Sequence, residues 1–261
     1  MPGAKTGLPI GVFDSGVGGI SVLAEMRALL PEENFIYFAD SANAPYGTKT
    51  VEEVQRFSLD IADYLCSQEI KALVVACNTA TSVAINEIRA RLEIPVIGME
   101  PALKPAVECA GRGRIVVMAT PMTLRERKFN DLLNRYDEHK EIIPLPCPGL
   151  VELIEKGTRS GQVISNYLSE LLRQVNMDTL SVVVLGCTHY VFVRNTLRQM
   201  VDDCVQIIDG NSGTARQLQR VLAQAGLLAE HRSDGGKVQI LTSGEIALVE
   251  PLCRELLKEI K

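Results

Sequence analysis

Apolar residues in this chain gather into short unbroken runs, separated by longer segments in which they recur every three or four positions. The runs are rich in Val, Ile, Leu and Phe, as buried strands are. Nine read as strands: Ile10–Phe13, Phe35–Ala39, Ala72–Ala76, Pro95–Gly98, Arg114–Met118, Glu141–Leu145, Val182–Leu185, Val205–Ile208 and Val238–Leu241. Between them, Thr50 and Glu53 have the spacing of a capping box, and Val54, Phe57, Ile61 and Leu65 come after them at helical spacing. Val163, Ile164, Tyr167, Leu168, Leu171, Leu172 and Val175 form a second apolar stripe. Strands alternating with amphipathic helices predict an α/β fold with mainly parallel sheets, each covered on both faces.

Two of the runs end alike. "VVACNTA" starts at Val74 and "VVLGCTH" at Val183, and both lead from an apolar strand into a cysteine and then hydroxyl, amide or imidazole side chains. "IGVFDSG" from Ile10 and "IVVMATP" from Ile115 are also strands that end in small polar residues, and each precedes one cysteine strand. The chain therefore predicts two pseudo-symmetric α/β domains, residues 1–98 with 208–261 and residues 99–207. Ligands of parallel α/β sheets bind beyond the carboxyl ends of the strands. The active site is expected there, in the cleft between the domains.

Composition narrows the function. Twenty-seven Lys and Arg against 32 Asp and Glu give a net charge of −5, with the basic residues scattered, so no nucleic-acid surface is expected. The apolar runs are too short to span a bilayer. "MPGAKTG" lacks the apolar core of a secretory signal, and none of the seven cysteines forms a C-x-x-C pair. Reduced thiols in a cytoplasmic protein are the expectation. The histidines and cysteines lack metal-ligand spacing.

A cysteine after an apolar strand is most often a small buried hydrophobe. Cys77 and Cys187 stand apart because of their neighbours: Asn78 and Thr79 in one case, Thr188 and His189 in the other. These are groups suited to gripping carboxylates, and His189 is placed to tune a thiol. The remaining five, Cys66, Cys109, Cys147, Cys204 and Cys253, are assigned to structure. "FDSGVGG" lacks the third glycine of a dinucleotide fingerprint. It reads either as a tight turn needing positive φ or as a loop that aims Asp14 and Ser15 at a ligand. "APYGTKT" puts Tyr46 and Gly47 in a turn before the capped helix. Asp40, Glu152, His189 and Asp209 are candidate titrating partners, while His139 and His231 lie in charged surface stretches.

Taken together, "FDSGVGG", "PYG", "ACNTA" and "GCTHY" resemble the glutamate racemase family, in order, spacing and total length. The resemblance implies cofactor-independent interconversion of L- and D-glutamate, supplying D-glutamate for peptidoglycan. It implies that Cys77 and Cys187 are the acid/base pair, Cys77 acting on D-glutamate and Cys187 on L-glutamate. Substrate contacts fall on Asp14, Ser15, Tyr46, Gly47, Asn78, Thr79, Thr188 and His189. Asp14, His189 and Glu152 fall on positions credited with assisting proton transfer. No cofactor and no metal are expected; glutamate is the small-molecule partner, and a homodimer is left open. Two departures, Val191 in place of a proline and Thr81 in place of a serine, touch no group needed for chemistry. Aspartate racemase competes, but usually has an acidic residue where His189 stands. A one-cysteine decarboxylase would lack one thiol. A two-lobed amino-acid binding protein would not need either.

Overall fold

The computed structural model describes residues 3–111, 113–136, 141–231 and 233–260. All nine expected runs form strands: β1 (Ile10–Asp14), β2 (Phe35–Ala39), β3 (Ala72–Val75), β4 (Val96–Gly98), β5 (Arg114–Ala119), β6 (Ile142–Pro146), β7 (Leu180–Leu185), β8 (Gln206–Asp209) and β9 (Val238–Thr242). Their ends shift by a residue or two, because apolar runs mark buried side chains rather than the last ladder hydrogen bond. Every pairing is parallel. The residues of β1 and β3 are all buried, which is why they read as unbroken apolar runs.

The chain forms two compact units, the residues up to Met99 together with those from Asn211 onward, and Glu100–Gly210. The expected boundary between 207 and 208 falls inside β8. That strand pairs with β7 along Val182–Leu185, so the return to the first unit comes after it.

Each unit traces the same path. The first sheet has the order β4-β3-β1-β2-β9 and the second β6-β5-β7-β8. In the first, the chain goes from β1 to β2 on one side, then crosses to β3 and β4 on the other. In the second, β5, β6, β7 and β8 repeat that walk. Strand β1 thus corresponds to β5, and β3 to β7. The spaces between β1 and β3, and between β5 and β7, are switch points, where successive connections leave toward opposite sides and ligands bind in parallel sheets.

The capping box is present: the Glu53 amide donates to Thr50 Oγ1 at 3.2 Å and the Thr50 amide to Glu53 Oε2 at 2.8 Å, starting the helix Val51–Ser67. The second stripe becomes the helix Gln162–Leu172, with Ile164, Leu168, Leu171 and Leu172 buried. Val163 is exposed instead, since it falls off that face of the wheel. The helix Asn211–Gln224 buries Ala215, Leu218 and Leu222 and packs on the helix Ile20–Leu29, closing the first unit. No helix among the described residues is long and apolar enough to cross a membrane.

One ion pair at the amino ends of the first unit's strands is fully buried. Lys71 Nζ lies 2.5 Å from Glu33 Oε2 and donates to the Thr6 carbonyl at 2.6 Å, while Glu33 Oε1 accepts the Ala229 amide at 2.8 Å. Removing one partner of such a pair strands the other charge in the core, which costs about 3–5 kcal/mol. Lys71→Met is therefore expected to lose about that much stability in urea denaturation, with kcat unchanged in the folded protein. A loss below ~1 kcal/mol would show that the pair contributes little here.

Candidate active site

In the first unit, β1 carries Asp14 to the carboxyl end of the sheet, and Cys77 lies just past the neighbouring β3. Asp14 is fully buried. Its Oδ1 accepts the Gly16 amide at 3.0 Å and the Ser15 hydroxyl at 3.3 Å. The Cys77 thiol donates to Ser15 Oγ at 3.7 Å. Cys77 also caps the helix Asn78–Arg91, its Sγ accepting the Ala80 amide at 3.4 Å. The sulfur thus sits where backbone N–H groups and the helix dipole favour negative charge. The glycines of "FDSGVGG" do not adopt positive φ. Gly19 is needed for space: a Cβ there would stand 2.7 Å from Asp14 Cβ and 2.9 Å from the Tyr37 hydroxyl. That hydroxyl donates to the Gly16 carbonyl at 2.7 Å and braces the turn.

Asn78 and Thr79 are both buried on the first turn of the helix behind Cys77. Among the described residues, neither the oxygen nor the nitrogen of the Asn78 amide has a hydrogen-bond partner. An orphaned buried amide costs roughly 1–3 kcal/mol, and a native fold tolerates it where a ligand completes the bonding. Tyr46 begins the turn Tyr46–Thr48, buried, with its hydroxyl donating to Asp40 Oδ2 at 2.5 Å. Burial, and then the Asp40 carboxylate, hold this phenol far above the usual tyrosine range, so it stays protonated.

In the second unit, Cys187 lies just past β7, the counterpart of β3. Gly186 fits against β5, its amide donating to the Met118 carbonyl at 2.7 Å. Cys187 Sγ lies 3.7 Å from His189 Nδ1, and Thr188 Oγ1 lies 3.5 Å from the same nitrogen. His189 Nε2 lies 2.5 Å from Glu155 Oε1. The carboxylate fixes the tautomer: Nε2 carries the proton it donates to Glu155, and Nδ1 faces the thiol as an acceptor. A nucleophile–imidazole–carboxylate line of this kind lets the sulfur give up its proton without creating a lone charge. Burial alone pushes His189 down. Its hydrogen bonds to Cys187 and Glu155 and their charges outweigh that and raise it well above the ordinary value.

Glu155, not Glu152, is thus the acid brought to the imidazole. Both lie on the short helix Leu150–Glu155, but among the described residues Glu152 makes no hydrogen bond to His189 or Cys187. Its charge lies near Tyr167 instead. Asp209 pairs with Arg194. His231 is exposed and pairs with Glu32 at 3.1 Å; His139 lies outside the described residues. Of the other cysteines, Cys253 and Cys147 are buried, Cys66 is half-buried, and Cys109 and Cys204 are exposed. Cys147 is nearer the chemistry than its sequence context suggests. Its carbonyl accepts the Tyr190 hydroxyl at 3.3 Å, and burial, with the neighbouring Cys187, pushes its thiol well up. Among the described residues no group of three His, Cys, Asp or Glu comes together as a metal site.

Comparison with known proteins adds a second line of observation. The family model for Asp/Glu/Hydantoin racemase matches residues 10–218. The chain is 55% identical over 237 residues to the glutamate racemase of Clostridium botulinum, spanning 91% of this chain and 92% of that protein. Among solved structures, it is similar to a glutamate racemase isoform from Bacillus anthracis, with a TM-score of 0.88 and 30% identity over 96% of this chain and 94% of that one. It is also similar to the glutamate racemase of Francisella tularensis in complex with D-glutamate, with a TM-score of 0.84 and 29% identity over 97% and 94%.

Proposed function

The chain belongs to the Asp/Glu/Hydantoin racemase family and interconverts L- and D-glutamate, and we propose that it does so by moving the α-proton between two thiols, Cys77 and Cys187. Racemisation removes a proton from one face of the α-carbon and returns one to the other. It needs two groups on opposite faces, one able to accept and one able to donate. The observation that carries the reading is that two units of the same topology each set a cysteine at the same place, the end of the third strand beside the switch point. The reading requires both thiols to act on one substrate, from opposite faces of its α-carbon.

From L-glutamate, the Cys187 thiolate takes the α-proton and the Cys77 thiol delivers its own to the opposite face. The reverse reaction exchanges the roles, and each half-cycle leaves one thiol and one thiolate. His189, held by Glu155, faces Cys187 and is placed to exchange a proton with it; the Ala80 amide at the helix cap stabilises charge on Cys77. The substrate carboxylates and ammonium fall to Asn78, Thr79, Thr188, Ser15 and the turn at Tyr46 and Gly47. The buried Asn78 amide, unpartnered among the described residues, supports this, because its NH2 donates and its oxygen accepts, as a zwitterion requires. Hydrogen-bond donors aimed at the developing charge lower the barrier to the carbanion. The D-glutamate formed supplies peptidoglycan, and the reading places the enzyme in the cytoplasm.

A chiral assay on L-glutamate, D-glutamate and L-aspartate, run with a chelator and no added cofactor, tests this function. Glutamate is expected to racemise in both directions at an unchanged rate, and aspartate far more slowly. Loss of activity with the chelator, or with hydroxylamine and its recovery on adding pyridoxal phosphate, would overturn the cofactor-free mechanism.

A further inference from the structure

The carboxylate of Asp40 is built into the first unit more tightly than a turn residue requires. Asp40 lies just past β2, is 2% exposed, and takes hydrogen bonds from three side chains. The Tyr46 hydroxyl donates to Oδ2 at 2.5 Å and Ser243 Oγ to Oδ1 at 2.5 Å; Asn43 Nδ2 reaches Oδ1 at 2.9 Å and Oδ2 at 3.1 Å. The Asp40 amide donates to the Asp14 carbonyl at 3.0 Å, joining this network to the end of β1. Ser243 comes from the far end of the chain, just past β9, which pairs with β2.

What the network holds is the turn at Tyr46. That turn is closed by the Thr48 amide on the Pro45 carbonyl at 3.4 Å and the Lys49 amide on the Tyr46 carbonyl at 3.1 Å. Among the described residues the amides of Tyr46 and Gly47 donate to no protein group, as expected of donors reserved for a bound anion. The Tyr46 ring packs against Phe57, with centroids 5.9 Å apart. Cys77 and Asp14 are close enough for their charges to act on the Tyr46 phenol. A phenol buried beside a carboxylate is no acid or base at working pH; its hydroxyl can only anchor.

We propose that Asp40 is a positioning residue for racemisation, pinning the Tyr46 side chain so that the Tyr46 and Gly47 amides stay fixed as a carboxylate-binding edge. This rests on the reading that the turn belongs to the substrate site. A hydrogen bond to a charged group that fixes a binding edge carries about one to two factors of ten in equilibrium. Fixing the edge serves binding of the glutamate carboxylate equally in the ground and transition states, so the effect falls on KM more than on kcat.

The test compares Asp40→Asn, Tyr46→Phe, the double variant and Asp60→Asn in steady-state assays with both enantiomers. Asp60 lines the same cavity of about 220 Å³ as Asp40 but has no part in the network, so Asp60→Asn is expected to match wild type. Asp40→Asn and Tyr46→Phe are each expected to raise KM about tenfold, with kcat within about threefold. The double variant is expected to be no worse than Tyr46→Phe alone, because Asp40→Asn removes the charge from the same hydrogen bond that Tyr46→Phe abolishes. Should Asp40→Asn fail to fold, Tyr46→Phe breaks the same bond from the other side and must show the same KM. Full multiplication of the two effects, or a lowered Tm with KM unchanged, overturns the proposal. A wild-type KM in Tyr46→Phe while Cys77→Ala is inactive overturns it too, leaving the thiol mechanism standing. An active Cys77→Ala instead removes the reading beneath it.

Discussion

Cys77→Ala and Cys187→Ala are each expected to lose racemisation in both directions, by about 10²–10⁴ or more in kcat. In the proposed mechanism every turnover uses both sulfurs, one to take a proton and one to give it, so neither variant should keep a preferred direction. Both should still bind glutamate, because Asn78, Thr79 and Thr188 remain. Isotope exchange gives the sharper view. In D₂O, wild type starting from L-glutamate should form D-glutamate carrying deuterium at the α-carbon, while unreacted L-glutamate stays protiated at early times. One base swinging between the faces would retain protium in the product. Replacing the surface thiols Cys109 or Cys204 should leave turnover unchanged. Near wild-type racemisation by Cys77→Ala would sink the two-thiol mechanism, whatever the family.

Glu155→Gln is the second large effect expected. The amide oxygen still accepts the proton on His189 Nε2, so the ring stays oriented, but the negative charge is gone. The imidazolium then loses the partner that stabilises it, and removing protons from L-glutamate should slow by about 10²–10⁴. With only three histidines in the chain, the His189 ring can be tracked by NMR, and its titration should move down toward the ordinary histidine range. Stability carries the same signature. Because the folded value is raised above the unfolded one, protonated His189 stabilises the fold fully below the ordinary histidine range. That contribution fades as pH rises through the raised folded value. The stability gap between wild type and His189→Asn should therefore narrow with increasing pH in denaturant melts. A gap that widens, or Glu155→Gln at full rate, would show that the pair serves packing only.

The sheets were legible because burial on both faces of a parallel sheet leaves unbroken apolar runs, as in β1 and β3. The two thiols were legible because each ends such a run, and the repeat exposed both at once. Glu155 was not. On "LVELIE" two acids stand one turn apart, and the notable neighbour of each is fixed only by tertiary contact. A signal was present: at about 100° per residue, Glu155 lies nearer than Glu152 to the stripe of Leu150, Val151 and Ile154 that faces the core. A wheel through six residues favours Glu155, but only once those three are known to be buried. Asp40 was legible as a titratable residue at a strand end. Its link to Ser243 was not, since no local pattern announces a bond spanning most of the chain.

The order in which the chain visits its two units has a consequence for how it is made. Residues 100–210 are complete as a unit before the first unit is, because the first lacks its edge strand β9 and the helices after Asn211 until the end of the chain is reached. A nascent chain emerging from the ribosome thus finishes its two halves in the reverse of the order in which it begins them. The strand that brings Ser243 to Asp40 is among the last pieces delivered. Asp14 and Cys77 leave the ribosome early, yet the network that braces the Tyr46 turn closes only once Ser243 is out, after the whole of residues 100–210, so the order of synthesis sets when that turn is braced.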